Sequence, residues 1–62
     1  MTIAEQLKIA RAARGHTQEQ AAREIGYTLN GYQKVEAGGR RPRGLYAERV
    51  DQYIASALEG GR

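Results

Sequence analysis

Two carboxamide side chains, those of Asn30 and Gln33, are three positions apart, so they share one face if this segment is helical. Each can pair with the major-groove edge of an adenine through one donor and one acceptor. Leu29 beside them offers apolar surface to a thymine methyl group, and Gly31 between them would let the backbone approach DNA closely. Cationic side chains able to neutralise phosphates surround this segment: Lys34, Arg40, Arg41 and Arg43. These residue types predict double-stranded DNA as the partner.

Other kinds of site lack the residues that they need. The 62 residues include no cysteine and one histidine, which excludes thiolate zinc sites, disulfide frameworks and histidine-based metal clusters. His16 has no second ligand or carboxylate at a suitable spacing, so we interpret it as a half-buried packing residue. No nucleophile stands with a base, and no phosphate-binding loop occurs. We therefore expect no enzymatic activity, no metal and no cofactor.

The apolar residues of the sequence do not suit a membrane. They come in runs of a few residues, against the roughly 20 that span a bilayer. The first residues, MTIAEQLKIARAARG, lack the uncharged apolar block of a signal peptide. We expect a cytoplasmic protein without a membrane partner.

The chain is small and basic. A domain of this size buries only about 60% of the surface of its unfolded chain, and ten residues are Ile, Leu or Val. Alanine-rich helix packing or a second subunit must supply further buried area, and we expect both. Ten basic residues against seven acidic ones give a net charge of +3. The basic surplus at residues 40–43 favours an anionic partner over simple solvation.

The helix start and stop signals divide the chain into four segments. Three threonines stand where an N-cap is expected: Thr2, Thr17 and Thr28. Gly15 and Gly26 are placed to end the first two helices, and Pro42 is expected to begin the last helix, at about 42–59. No strand pattern competes with this reading. The predicted fold is all-α, a compact domain of four to five helices that covers residues 1–62.

The segment at about 17–38 predicts two short helices joined by a tight turn through Tyr27. Helices connected in this way must cross at a steep angle, which is the helix-turn-helix arrangement. Ala21 and Ala22 are small enough to let the helices approach each other. Side chains expected to fill the angle between them are those of Ile25, Tyr32 and Val35.

At this point the sequence resembles the lambda-repressor-like helix-turn-helix family, which includes the Xre and Cro-type regulators. The resemblance rests on TQEQAA at 17–22, Ile25-Gly26 and KVEAG at 34–38, preceded by Leu7-Lys8, Arg11 and Gly15. It covers about residues 3–54, without a gap between Leu7 and Gly38. It implies a regulator that binds operator DNA, usually as a homodimer. After Pro42 the family usually has two short helices, whereas this sequence predicts one longer helix.

The resemblance also implies roles for individual residues. The outward positions of the second helix of the motif, the recognition helix, are expected to contact bases: Thr28, Leu29, Asn30, Gln33, Lys34 and Ala37. Gln18 matches a residue that binds a phosphate and braces the recognition helix, and Arg11 with Glu36 matches a salt bridge. The other residues expected at phosphates are Thr17, Tyr27, Arg40, Arg41 and Arg43. Tyr27 has core packing as its alternative role.

The last predicted helix carries a broad apolar stripe: Tyr46, Val50, Tyr53, Ile54, Ala57 and Leu58. This stripe either covers the domain's own core or faces a second subunit, and we favour the second reading for part of it.

The function predicted from these features is that of a small autoregulated repressor of the phage, plasmid, toxin–antitoxin or anti-CRISPR type. It would bind an inverted-repeat operator as a homodimer. The alternative is an antitoxin-like module whose C-terminal helix engages a partner protein.

Overall fold

Four α-helices make up the part of the chain that the structure describes. In the computed structural model the backbone is described for residues 1–60 and the side chains for residues 1–57. The helices are α1 (Ile3–Arg14), α2 (Gln18–Ile25), α3 (Leu29–Glu36) and α4 (Leu45–Gly60), and no strand occurs among these residues. The all-α prediction is confirmed. Within the same range no helix is both long and apolar enough to cross a membrane.

The predicted N-caps are present at the first three helices. The Thr2 and Thr17 hydroxyls accept from the third residue of α1 and α2, and those residues reach back to the cap in complete capping boxes. The Thr28 hydroxyl accepts from the Gly31 amide at 3.2 Å. Each such cap satisfies a donor that the helix itself leaves free and contributes about 1 kcal/mol. The starts of these three helices are thus encoded locally.

The last helix begins three residues later than the sequence predicted. Pro42 lies in the loop before α4, and the first residue of the helix is Leu45. The cause is Gly44, whose φ of 58° belongs to the left-handed region and cannot continue into a right-handed helix. The prediction that Pro42 starts the helix is therefore wrong, and the basic residues at 40–43 belong to a loop.

The core is built where all four helices meet. Its buried apolar residues are Leu7, Ala10, Ala21, Ala22, Ile25, Tyr32, Val35, Val50, Tyr53, Ile54 and Ala57. Helix α1 packs mainly against α4, and α2 packs mainly against α3. Because α3 turns Tyr32 and Val35 inward, its opposite face is left on the surface of the domain.

The apolar stripe of α4 divides between core and surface. Val50, Tyr53, Ile54 and Ala57 are each at most 9% exposed and pack in the domain's own core. For Val50, Tyr53 and Ala57 the prediction of a face toward a second subunit is corrected, because the domain itself buries them, whereas Ile54 also borders an open groove between α1 and α4. Tyr46 remains 42% exposed, and the side chain of Leu58 lies outside the described residues.

Candidate nucleic-acid interface

The outward face of α3 carries the side chains that were predicted to contact bases. Thr28, Leu29, Asn30, Gln33, Lys34 and Ala37 are all exposed. Tyr32 and Val35, on the opposite side of the same helix, are at most 1% exposed. One helix thus presents two amides, a cation and an apolar side chain to solvent on a rigidly packed support, with dimensions that fit a major groove.

The residues predicted to contact phosphates lie at the start of α2, in the α2–α3 turn and in the loop that follows α3. Thr17 is exposed at the start of α2, and Gln18 follows it half-buried. Arg40, Arg41 and Arg43 are exposed in the loop between α3 and α4. Thr17 and Thr28 stand at the N-terminal, positive ends of the α2 and α3 dipoles, and such helix ends favour a nearby anion.

Tyr27 belongs to the turn between α2 and α3, and its half-buried side chain faces α4. It packs against the core, and its ring stacks on that of Tyr46 with centroids 4.5 Å apart and planes 13° apart. Burial raises the pKa of the Tyr27 hydroxyl, and the nearby Arg40 opposes this effect only in part. The hydroxyl therefore stays neutral and can still donate to a phosphate, so packing and a phosphate contact are compatible at this residue.

Gly31 is buried by its own neighbours and does not offer the backbone to DNA. A Cβ at this position would lie 3.3 Å from Thr28 Oγ1, 3.5 Å from Tyr27 Cδ1 and 3.6 Å from Arg40 Nη1. The expectation of a close approach to DNA at Gly31 is corrected, because the residue is buried beside Thr28, Tyr27 and Arg40. A Cβ would be crowded by the Thr28 hydroxyl oxygen and would meet the other two side chains at ordinary contact distance. This placement brings Arg40 alongside α3.

The Glu36 carboxylate is the centre of a polar cluster beneath the interface. It is 4% exposed, and its Oε1 accepts from Arg11 Nε at 2.7 Å and from the Tyr32 hydroxyl at 2.8 Å. Its Oε2 accepts from Gln18 Nε2 at 2.7 Å and from Arg11 Nη2 at 3.4 Å. The pair Arg11–Glu36 thus forms as the resemblance implied. Arg11 also donates to the His16 carbonyl at 3.1 Å. Since Arg11 belongs to α1, Gln18 to α2 and Glu36 to α3, all three helices meet in this cluster.

The charges of this cluster stabilise one another. Burial alone would raise the pKa of Glu36, but hydrogen bonds from Arg11, Gln18 and Tyr32 outweigh it and hold the pKa below its ordinary value. The hydrogen bond to Glu36 raises the pKa of Arg11 against the opposing effect of burial. Glu36 is consequently ionised at neutral pH, and Arg11 compensates its charge, so that it does not repel a phosphate.

Gln18 links this buried cluster to the surface of the recognition helix. While its Nε2 donates to Glu36, its Oε1 accepts from Gln33 Nε2 at 3.2 Å. The bracing role that the resemblance implied for Gln18 therefore has a contact to support it. Its particular partner, Gln33 in the second turn of α3, could not be read from the sequence, because it depends on how α2 crosses α3.

Arg49 is a residue of this region that sequence reasoning missed. Its Nη1 donates to the Ile25 carbonyl at 3.2 Å, at the C-terminal end of α2. A Cβ on Gly26 would lie 2.6 Å from that nitrogen, so the guanidinium occupies space that only a glycine leaves open. Arg49 follows Tyr46 by three positions on α4, which places both beside the α2–α3 turn. The three-residue spacing of Tyr46 and Arg49 on the predicted last helix was the sequence signal that could have identified Arg49.

His16 is half-buried, as its interpretation as a packing residue requires. Its Nδ1 lies 2.9 Å from the Tyr53 hydroxyl. The Arg14 guanidinium lies over the Tyr53 ring, 4.5 Å from its centroid. Among the described residues, no group of three or more His, Cys, Asp or Glu side chains is arranged to hold a metal ion.

Comparison with known proteins adds one finding. A family model described as a helix-turn-helix domain matches residues 2–59, which include all of α1, α2 and α3 and most of α4. No match was found among curated proteins or among solved structures.

Proposed function

The chain belongs to the helix-turn-helix domain family, and on that premise we propose that it is a sequence-specific DNA-binding regulator. Helix α3 enters the major groove and reads bases. Thr17, Gln18, Tyr27 and the basic loop hold the flanking phosphates. The regulator acts in the cytoplasm, has no catalytic role and needs no cofactor.

One observation carries this proposal. Helix α3 is fixed by a buried inner face, and its exposed face presents Asn30 and Gln33. Gln33 contacts the half-buried Gln18, and an exposed arginine loop at 40–43 follows the helix. Amides on an exposed helix face are suited to base edges, and the cations of the loop are suited to phosphates. Solvation alone does not require exposed amides together with a nearby cluster of arginines, whereas DNA binding uses both.

We further propose that the regulator is an autoregulated repressor that binds an inverted-repeat operator as a homodimer. Phage, plasmid, toxin–antitoxin and anti-CRISPR operons are the settings that we propose for it. A groove of about 400 Å³ between α1 and α4, lined by Met1, Gln6, Ile9 and Ile54, supplies a surface for self-association. Ile9 on its rim is 48% exposed.

The same groove favours the second candidate, a module that engages a partner protein through α4. Sedimentation of the purified chain with and without operator DNA distinguishes the two. A dimer that binds two half-sites supports the repressor. A monomer that leaves DNA unbound supports the protein-binding module.

The DNA-binding proposal is tested by a salt titration on an operator duplex and a scrambled duplex. The operator is obtained by selection from random DNA or by footprinting upstream of the gene. Gln33→Ala should cost about 1–3 kcal/mol on the operator and little on scrambled DNA. Arg43→Ala should weaken both duplexes alike and lower the salt slope by about one for each phosphate that the variant no longer neutralises.

The control variant is Gln52→Ala, an exposed glutamine on α4 that lies outside the proposed interface. It should change neither the affinity ratio nor the salt slope. If Gln33→Ala and Asn30→Ala both leave the operator-to-scrambled ratio unchanged, α3 is not the reader and the protein-binding candidate takes its place.

A further inference from the structure

The first turn of α3 contains an asparagine that is followed directly by a glycine. Asn30 is the single asparagine of the sequence, and the next residue is Gly31. An asparagine loses its side-chain amide without an enzyme when the next backbone nitrogen attacks it. Glycine hinders this attack least, because it has no Cβ. DNA contact gives Asn30 a role but leaves the buried Gly31 without one, so the chemistry of the pair is a separate property of this helix.

The reaction consumes one molecule of water and releases one molecule of ammonia. The nitrogen of Gly31 forms a bond to Cγ of Asn30, and Nδ2 leaves as ammonia with the proton that the Gly31 nitrogen gives up. The product is a five-membered succinimide ring. Water then opens the ring at either carbonyl. One opening yields aspartate, and the other yields isoaspartate, in which the main chain runs through the former side chain.

Thr28 holds the turn in which this ring would form. The Gly31 amide has no acceptor within the helix, as is usual in a first turn, and it donates to the Thr28 hydroxyl at 3.2 Å. The Tyr32 amide donates to the Thr28 carbonyl at 2.9 Å. The ring can close only after the backbone between Asn30 and Gly31 leaves its helical conformation, which breaks both hydrogen bonds. The attack is therefore limited by how often this turn opens.

Local opening of the turn requires less free energy than unfolding of the domain. Helix α3 has eight residues, and a helix this short is marginal on its own. Tyr32 and Val35 anchor its later turns in the core, whereas Asn30 is exposed. Helix ends fray at a smaller cost than the loss of the core.

We propose that Asn30 is a site of spontaneous deamidation, that the Thr28 cap sets its rate, and that the conversion switches the recognition helix off. Either product puts a carboxylate on the exposed face of α3. A carboxylate repels phosphates and cannot donate to a base. The loss of binding rests on the proposed DNA-binding function, whereas the conversion itself does not.

The conversion is measured on the purified protein without DNA, incubated at mildly alkaline pH. Trypsin cleaves after Arg23 and Lys34, which isolates Asn30 in the peptide 24–34. Mass spectrometry follows this peptide with time, and fragmentation separates a change at Asn30 from one at Gln33. Thermal melting establishes that each variant is folded at the temperature of incubation.

Three substitutions of cap residues test what sets the rate. Thr28→Val removes the hydroxyl and keeps the shape of the side chain, and Thr28→Ser keeps the hydroxyl. The matched control is Thr17→Val, which removes the corresponding cap from α2 and leaves the turn at Asn30 intact. It reports how much general destabilisation contributes.

Asn30 should convert in the folded, unaltered protein, and Thr28→Val should accelerate the conversion about fivefold, the factor that corresponds to the loss of one cap. Thr28→Ser and Thr17→Val should convert at the rate of the unaltered protein. Equal acceleration by Thr28→Val and Thr17→Val would mean that the reaction passes through global unfolding, which overturns the role of the cap. If Asn30 persists in the folded protein while the chain denatured in urea converts, the site itself is overturned.

The effect on binding is tested with Asn30→Asp, which reproduces one product. The variant should melt no lower than the unaltered protein, because a carboxylate is favourable near a helix N-terminus. On an operator selected from random DNA by the unaltered protein, its affinity should fall by about 5- to 150-fold, the range for one bidentate base contact. The matched control is Gln52→Glu, which adds the same charge on exposed α4 and should bind as the unaltered protein does.

Unchanged operator affinity in Asn30→Asp would overturn the switch while leaving DNA binding intact. If the unaltered protein selects no DNA sequence, the proposed function fails and the switch fails with it. The conversion rates, measured without DNA, would still decide whether Asn30 is a deamidation site.

Discussion

At the scale of single residues, Glu36 is the buried charged side chain in the described part of the chain. Its carboxylate is 4% exposed and accepts hydrogen bonds from Arg11, Gln18 and Tyr32. No buried side-chain polar atom is left without a partner among the described residues. Removing one member of such a cluster is costly, since the others remain buried and unpaired. The Glu36 cluster therefore ties α1, α2 and α3 together in addition to their apolar contacts.

The Arg11–Glu36 pair should contribute more than the ~1 kcal/mol typical of exposed pairs. A double-mutant cycle with Arg11→Met and Glu36→Gln at neutral pH measures this coupling. The matched control is the Glu19–Arg23 pair, whose side chains are 67% and 78% exposed at 3.3 Å. For that pair we expect a coupling of about 0.5 kcal/mol or less. Equal couplings for the two pairs would mean that burial adds nothing at Glu36.

The same coupling should depend on pH in one direction. The folded-state pKa of Glu36 lies below its ordinary value of 4.5, so unfolding raises the affinity of this carboxyl for protons. Its contribution to stability is complete above that value and is lost as the pH falls through the folded-state pKa. The cycle repeated in acid should therefore give a smaller coupling.

At the scale of elements, the turn between α2 and α3 decides where the recognition helix points. Gly26 ends α2 with φ 105°, and Arg49 reaches from α4 to the carbonyl of Ile25, the last residue of α2. The Tyr27–Tyr46 stack joins the turn to the same helix. In addition to its place in the core, helix α4 thus holds the end of α2 and the turn that leads into α3 through one polar and one aromatic contact.

Gly26→Ala should destabilise the fold more than Gly15→Ala. Both glycines end helices at positive φ, but a Cβ on Gly15 meets nothing within 4 Å, whereas one on Gly26 would displace the Arg49 guanidinium. Gly15→Ala therefore carries only the left-handed penalty of about 1–2 kcal/mol. Gly26→Ala should add about 1 kcal/mol, because the hydrogen bond from Arg49 to Ile25 is broken as well.

Chemical denaturation measures both substitutions. In an Arg49→Met background the excess cost at Gly26 should shrink, because the displaced group is gone. An excess that persists there would assign the cost to the backbone angle alone.

At the scale of the whole molecule, the domain measures 30 × 20 × 19 Å and presents one recognition helix. A single helix contacts only a few base pairs, so a long specific site requires a second copy. With Val50, Tyr53 and Ala57 used in the core, the exposed apolar side chains available to that copy include Leu45 and Tyr46 on α4 and Ile9 at the groove between α1 and α4.

If two copies bind with two-fold symmetry, their half-site centres should lie about 10 base pairs, or one helical turn, apart. Inserting about half a turn between the half-sites puts the second recognition helix on the wrong side of the duplex. Most of the affinity should then disappear, as measured by equilibrium binding to both duplexes. The control changes the spacer bases without changing their number. A single half-site bound as tightly as the full operator would contradict the symmetric dimer.

Much of this molecule could be predicted from local sequence signals. The threonine caps, the glycine at the end of α2 and the apolar spacing indicated the first three helices, because capping and periodicity act over a few residues. The exposed face of α3 followed from the same periodicity, since Tyr32 and Val35 had to point inward. The family resemblance supplied the Arg11–Glu36 pair.

The tertiary structure decided what depends on long-range neighbours. The start of α4 depended on the conformation of Gly44, and the role of Gly31 depended on where Tyr27 and Arg40 lie. Whether the apolar stripe of α4 belonged to the core or to the surface depended on how much of it the other helices could cover. Hydrophobic periodicity predicts that one face of a helix is buried, but it does not identify the element that buries it. The direction of the Gln18 amide was decided last, because only the crossing of α2 over α3 brings a carboxylate to one end of it and Gln33 to the other.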